Sequence, residues 1–261
     1  MKEEKVKKIV RENYGKIAKS GCSCCDSGSG KELGYTEEEL KSVPEGANLS
    51  LGCGNPVALA SIKEGETVLD LGSGSGLDCF LAAKKVGEKG KVIGVDMTPE
   101  MIDRARGNAR KGGYRNVEFR LGEIENLPVG DKTVDLLISN CVINLAPNKK
   151  RVFEEAFRVL KSGGRLTISD IVLLKNLPET IKKSKRAYVD CVSGATMKNE
   201  YLALLKAAGF QEVSIIEETH FPAETIVAEA AAGGVGSSKT FIAEEIANSI
   251  VSIKVCGVKP K

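Results

Sequence analysis

Between Gly65 and Leu173 the chain alternates short apolar runs with longer amphipathic ones. The runs at 67–71, 91–95, 117–121, 134–139 and 165–173 have the length and apolar density of buried strands. The segments 77–87, 99–112 and 148–161 carry helical periodicity; Pro99 suits a first helical turn, and Gly163-Gly164 follow the third. Strands and helices alternating through short connections predict a parallel sheet covered on both faces. Ahead of this block, Val6, Ile9, Val10 and Ile17 form one stripe of a helix over 1–20. A polar, cysteine-bearing loop follows at 21–30, then a short helix capped by Thr36. Gly52-Cys53-Gly54-Asn55-Pro56 is a tight turn with helix to about Ile62. Behind the block, 178–208 reads as a long helical stretch broken near Ser193-Gly194, and 212–217 and 249–258 read as strands flanking Ala- and Gly-rich sequence. Three stretches result: a helical, cysteine-bearing extension over 1–50, an α/β domain over 51–218, and a C-terminal segment over 219–261 with a closing strand.

The junction of the first strand and helix carries the most chemistry. Val68-Leu69 ends at Asp70, and Gly72, Gly74 and Gly76 follow with Ser73 and Ser75 between them. Glycines there allow positive φ and close approach of a ligand to the backbone. The next apolar run ends at Asp96, and an acid at that place bonds the hydroxyls of a ribose. Glycine loop and acid together describe a nucleoside pocket. A dinucleotide loop spaces its glycines G-x-G-x-x-G for a pyrophosphate. Here the spacing is G-x-G-x-G behind Asp70, which resembles the pattern of S-adenosylmethionine-dependent methyltransferases. An acid at the strand end suits the ammonium of that cofactor better than it suits a phosphate.

Net charge is +3 with acids and bases interspersed, giving no case for nucleic acid or a membrane surface. The opening Met1-Lys2-Glu3-Glu4-Lys5 reads as helix rather than signal peptide, and no apolar run reaches the ~20 residues of a membrane span. A cytoplasmic protein is expected, and in that compartment its eight cysteines read as thiols.

Cys141 follows the fourth strand directly, Cys53 sits in the glycine turn, and Cys191 lies where the late helix breaks. Each alone reads as a small buried hydrophobe, and their spacing is not that of a zinc finger. Their contexts, however, closely resemble segments of arsenite methyltransferases: Gly52-Cys53-Gly54-Asn55-Pro56, Ser139-Asn140-Cys141-Val142-Ile143-Asn144-Leu145 and Cys191-Val192-Ser193-Gly194-Ala195. The resemblance covers about residues 15 to 215, and more loosely Ser249–Pro260. It implies a Rossmann-like, doubly wound, seven-stranded methyltransferase sheet with an N-terminal extension and C-terminal additions. It implies S-adenosylmethionine as cofactor, and arsenite or methylarsenite as substrate, with arsenic held by Cys53, Cys141 and Cys191. A thiol reductant of the thioredoxin or glutathione type would be co-substrate, and a monomer is expected. Leu51 stands where many relatives carry an aromatic, and Asp190 where the acid is usually Glu. Cys22, Cys24 and Cys25 partly resemble the family's upstream cysteines.

The chemistry agrees with this. Trivalent arsenic is soft, takes three thiolates in a pyramid and keeps a lone pair. That lone pair attacks a sulfonium methyl without a general base, which suits a chain with one histidine. Position assigns the other cofactor contacts: Asp70, Gly72, Ser73, Gly74 and Gly76 in the loop, Asp96 on the ribose and Met97 on the adenine face. Glu123 and Ile124 fall at the adenine edge, and Ser139 and Asn140 near the methionine portion. Glu123 also reads as a solvated loop acid. Cys79 and Cys256 read as packing residues and His220 as a surface or loop-anchoring residue. Two other readings compete: a methyltransferase of an organic small molecule, and a thiol-based metalloid sensor without catalysis.

Overall fold

The computed structural model describes residues 3–20, 33–220 and 249–261. Seven strands form one sheet: β1 (Thr67–Leu71), β2 (Lys91–Asp96), β3 (Val117–Leu121), β4 (Val134–Asn140), β5 (Leu160–Leu173), β6 (Gln211–His220) and β7 (Ile250–Val258). Their spatial order is β3-β2-β1-β4-β5-β7-β6. The first five are parallel, and β7 runs antiparallel between β5 and β6. The order reverses between β1 and β4. A crevice therefore opens at the carboxyl ends of those two strands, the place where doubly wound sheets bind ligands.

Alternating side chains divide the core by face. From β1 and β4, Val68, Leu136 and Ile138 pack with Phe80 and Ala83 of α4 (Leu77–Val86) and with Ile102 of α5 (Pro99–Lys111). Leu69, Leu71 and Leu137 point the other way, onto Val152 and Phe153 of α6 (Lys149–Val159) and Tyr201 and Leu205 of α9 (Lys198–Ala207). By the same alternation Asp70 and Asn140 share the α4 face.

Outside the sheet, α1 (Glu3–Ser20) buries Val6, Val10 and Ala18. Short helices α2 (Glu37–Lys41) and α3 (Pro56–Leu59) lead into β1. Thr36 caps α2 in a complete capping box with Glu39. Helix α3 stops earlier than the expected Ile62, with Ala60 at its cap. The expected long helix over 178–208 is instead α7 (Glu179–Lys182), α8 (Lys185–Val189) and α9, with an irregular loop at 190–197. Ser184 caps α8, and Cys191 sits at φ +64°, outside helical geometry. No helix among the described residues is long and apolar enough to cross a membrane. Cys22, Cys24 and Cys25, and the Ala- and Gly-rich sequence before β7, lie outside the described residues.

Candidate functional site

A cavity of about 660 Å³ fills the crevice. The glycine loop, Asp96, Met97 and Ile124 line one end, and Cys53, Cys141 and Cys191 line the other. Helix α1 lies across it, contributing Lys7, Val10, Tyr14 and Ile17 to the wall. Such a space is of ordinary size for a small-molecule site.

At the first end, one carboxylate oxygen of Asp96 accepts from the Gly74 N–H at 3.0 Å and the other from the Thr98 N–H at 2.8 Å. Burial raises its pKa, partly offset by those two N–H donors. An added Cβ at Gly74, where φ is +51°, would meet open space, so the loop presents bare backbone to the cavity.

Four expected cofactor residues do not line the cavity. Asp70 is 2% exposed beneath α4, where its carboxylate accepts from Cys79 Sγ at 3.2 Å. Its place on the α4 face of β1 turns it inward, and burial, then the charge of Asp78, lifts its pKa well above the usual range. Ser139 is fully buried and its hydroxyl has no partner, because its side chain points into the sheet's interior. Glu123 faces outward, held by Lys7 at 2.7 Å and Arg11 at 3.4 Å; this is its solvated reading, tied to α1. Gly76 is spent on the turn itself: its φ of +101° makes it the left-handed N-cap of α4.

At the second end three cysteines meet. The sulfurs of Cys53 and Cys141 and a carboxylate oxygen of Asp170 all lie within 4.8 Å of one another. Cys191 Sγ donates to the Cys141 carbonyl at 2.9 Å. Cys141 and Cys191 are both non-glycine residues at positive φ, +58° and +64°. Such conformations cost of order 1–3 kcal/mol and persist where surrounding structure enforces them. The Cys141 N–H is tied to Ser169 O at 2.8 Å. Hydrogen bonds with the Cys191 and Cys53 thiols, then burial, push the Cys141 thiol well up. The bond with Cys141 pulls the Cys191 thiol down, but burial and the nearby Asp170 outweigh it. Both thiols are therefore neutral at pH 7. No disulfide is present among the described residues.

The turn bearing Cys53 is clamped from three strands. Asn140, at the end of β4, accepts the Cys53 N–H at 3.0 Å through Oδ1 and donates to Gly54 O at 2.7 Å through Nδ2. Ser252 of β7 donates to Cys53 O at 3.0 Å. A Cβ at Gly54 would come within 2.1 Å of Ser169 Oγ on β5, so only glycine lets the turn sit this close. Cys53 is thus held beside Cys141.

Other groups complete the site from positions where their neighbours hid them in the sequence. Asp170 is fully buried; it accepts from Asn144 Nδ2 at 2.8 Å, Tyr201 Oη at 3.1 Å and the Ile171 N–H at 3.0 Å. Burial raises its pKa to about 7. Tyr14 donates to Val189 O at 3.1 Å, joining α1 to the segment that carries Cys191. Asp78 accepts from Tyr35 Oη at 2.7 Å. Among these, a signal existed for Asp170, an acid inside the apolar run 166–173; Tyr14, Tyr35 and Asp78 read as ordinary helix and loop residues.

Residues 62–209 match a methyltransferase domain family. Arsenite methyltransferases of Halobacterium salinarum and Homo sapiens are 50% and 35% identical to the chain, over 84% and 80% of it. The chain spans 61% and 59% of the length of these two relatives. The crystal structure of an arsenic(III) S-adenosylmethionine methyltransferase from Chlamydomonas reinhardtii superposes with a TM-score of 0.65 at 32% identity, covering 91% of this chain and 75% of that one. The domain match spans the glycine loop and the five parallel strands, the relatives match most of the chain, and this chain belongs to the arsenite methyltransferase family.

Proposed function

We propose that the chain transfers a methyl group from S-adenosylmethionine to trivalent arsenic held by Cys53, Cys141 and Cys191. The observation that carries this reading is the meeting of three thiols from distant parts of the sequence at one end of a cavity whose other end is a glycine loop and Asp96.

The donor set fits the cofactor. Asp96 keeps its carboxylate at the cavity wall for ribose hydroxyls, Met97 and Ile124 offer apolar surface to a base, and the bare backbone at Gly74 admits close approach. S-adenosylmethionine supplies a methyl on a sulfonium, an electrophile that leaves behind a neutral thioether. The chain's task is to position and desolvate the nucleophile.

Neutral thiols suit arsenous acid. Each S–H proton leaves with one arsenic-bound hydroxide as water, so three As–S bonds form, three As–O bonds break and no net charge is buried. The substrate's lone pair would then face the end lined by the glycine loop and Asp96, where bound S-adenosylmethionine would supply the methyl. Transfer raises arsenic formally to the pentavalent state, and two electrons from a thiol reductant, oxidised to a disulfide, return it to the trivalent state. The thiol reductant, cytoplasmic location and monomeric state belong to this proposal. So does methylarsenite as a second substrate.

The test is turnover. Purified protein with labelled S-adenosylmethionine, arsenite and glutathione should give arsenic-borne label, separated by arsenic speciation. Label transferred only to organic acceptors, with none on arsenic, would overturn the reading.

A further inference from the structure

Asp78 is the second residue of α4, turned toward the cavity at 7% exposure. Its oxygens receive only neutral donors: Tyr35 Oη at 2.7 Å and Asn140 Nδ2 at 3.3 Å. Among the described residues no Lys, Arg or His pairs with it. A buried carboxylate without a cation is costly, and such groups are ordinarily paired. The other two acids of this region are already engaged. Asp70 lies beneath α4 on Cys79, outside the cavity lining. Asp96 spends an oxygen on each of two backbone N–H groups at the far side of the glycine loop.

Asp78 and Asp96 thus flank one glycine loop, while the other acids lining the cavity, Glu125, Asp190 and Glu217, are each paired with a lysine or arginine. Asp96 marks an end with apolar surface for a base. Asp78 marks an end that adjoins Asn140 and the cysteine turn. A ligand suited to both has a ribose at one end and a cation at the other. Burial raises the Asp78 carboxyl to about 6, so it is charged at neutral pH even before a cation arrives.

We propose that Asp78, and not Asp70, receives the α-ammonium group of the cofactor. This rests on the S-adenosylmethionine reading above and assigns the residue that recognises the cofactor's amino-acid end. The strand-end acid of the glycine motif then has a structural task, holding the Cys79 thiol under the helix, while the acid eight positions later does the binding.

The experiment is calorimetric titration at pH 7.5 with two probes: S-adenosylhomocysteine, and its deamino analogue, which keeps nucleoside and carboxylate but lacks the amine. Wild type should bind the amine-bearing ligand roughly tenfold or more tightly, the effect of one charge-assisted hydrogen bond. Asp78→Asn should erase that preference and leave the affinity for the deamino analogue within about twofold; Asp70→Asn should keep the preference. Asp78→Ser is carried alongside, because its hydroxyl can still accept from Tyr35 or Asn140 without charge. Thermal unfolding identifies which variant is folded, and either one decides. An amine preference that survives in Asp78→Asn, or that disappears in Asp70→Asn alone, overturns the assignment. Wild type that binds neither probe overturns the cofactor reading itself.

Discussion

Cys191 Sγ points at the carbonyl oxygen of Cys141, 2.9 Å away, although fifty residues separate them in the chain. Both residues hold left-handed backbone without being glycine. The loop at 190–197 and the turn after β4 are therefore shaped to aim two thiols into one volume, at a conformational cost the packing of Val192, Leu145 and Ile171 must offset.

Replacing Cys141 or Cys191 by Ser exchanges a soft ligand for a hard one of nearly the same volume. Both variants should fold and bind S-adenosylhomocysteine like wild type, while arsenite methylation falls by two orders of magnitude or more. Cys53→Ser should also impair arsenite methylation but spare methylarsenite, which needs only two thiolates. Cys79→Ser and Cys256→Ser serve as controls, since Cys79 is on the buried face of α4 against Asp70 and Cys256 pairs with Thr167 on the sheet. Wild-type rates on arsenite in both Cys141→Ser and Cys191→Ser would remove the thiolate site.

Asn140 governs where Cys53 sits. Asn140→Ala strands the Cys53 N–H and the Gly54 carbonyl. Unpartnered buried groups of this kind cost ~1–3 kcal/mol each. Melting should drop by several degrees, and KM for arsenite should rise at least severalfold, with methylarsenite less affected. Because Asn140 also donates to Asp78, the arsenite site and the cofactor's amino-acid end share one amide. S-adenosylhomocysteine should then tighten arsenite binding in wild type and fail to do so in Asn140→Ala. Equal tightening in both proteins would separate the two ends.

Asp170 makes stability pH-dependent. Its folded pKa, about 7, lies above its ordinary value of 3.8. The folded protein therefore holds a proton that the unfolded chain has lost, and this contribution is fully present below about pH 4. It declines as pH rises and is gone above about 7. Asp170→Asn keeps the acceptor for Asn144 and the Ile171 N–H but removes the buried charge. Urea melts should show the variant gaining on wild type between pH 5 and pH 8, by on the order of 1 kcal/mol or more. A constant difference across that range would mean that Asp170 is ionised in the folded state throughout.

The alternation of apolar runs was enough to place the five parallel strands, since each is a short buried segment bounded by turns. It overextended the late helix, because 178–208 has helical composition while Pro178, Ser184 and the loop around Cys191 cut it into pieces by local capping. The three cysteines were legible through their neighbours, not through spacing, because the sheet and not the sequence brings them together. Asp78, Asp170 and Tyr14 were not singled out. Each sits in a stretch whose periodicity is satisfied without it, and only the packing of α1, α4 and β5 around one crevice shows what they face.

The cofactor end separates residues that bind from residues that support. Asp96 faces the cavity with both oxygens oriented by backbone N–H groups, so Asp96→Ala should weaken S-adenosylhomocysteine by about tenfold or more, the loss of charge-assisted bonds worth ~1.5–3 kcal/mol. Ser139, near the end of β4, has a fully buried hydroxyl with no partner. Ser139→Ala removes an unsatisfied polar group and leaves a cavity no larger than one oxygen, so affinity should stay unchanged and stability should hold or rise slightly. Glu123 acts through α1: Lys7 bridges it and Glu125 while lining the cavity wall. Lys7→Glu replaces two attractions by two repulsions at the edge of the covering helix. The ligand should then dissociate severalfold faster, while Glu123→Gln alone, which weakens two partly exposed pairs, with Lys7 and Arg11, should change the rate little. Stopped-flow displacement of S-adenosylhomocysteine measures both. A Glu123→Gln loss as large as that of Asp96→Ala would make Glu123 a direct cofactor contact and would require the loop after β3 to turn inward when ligand binds.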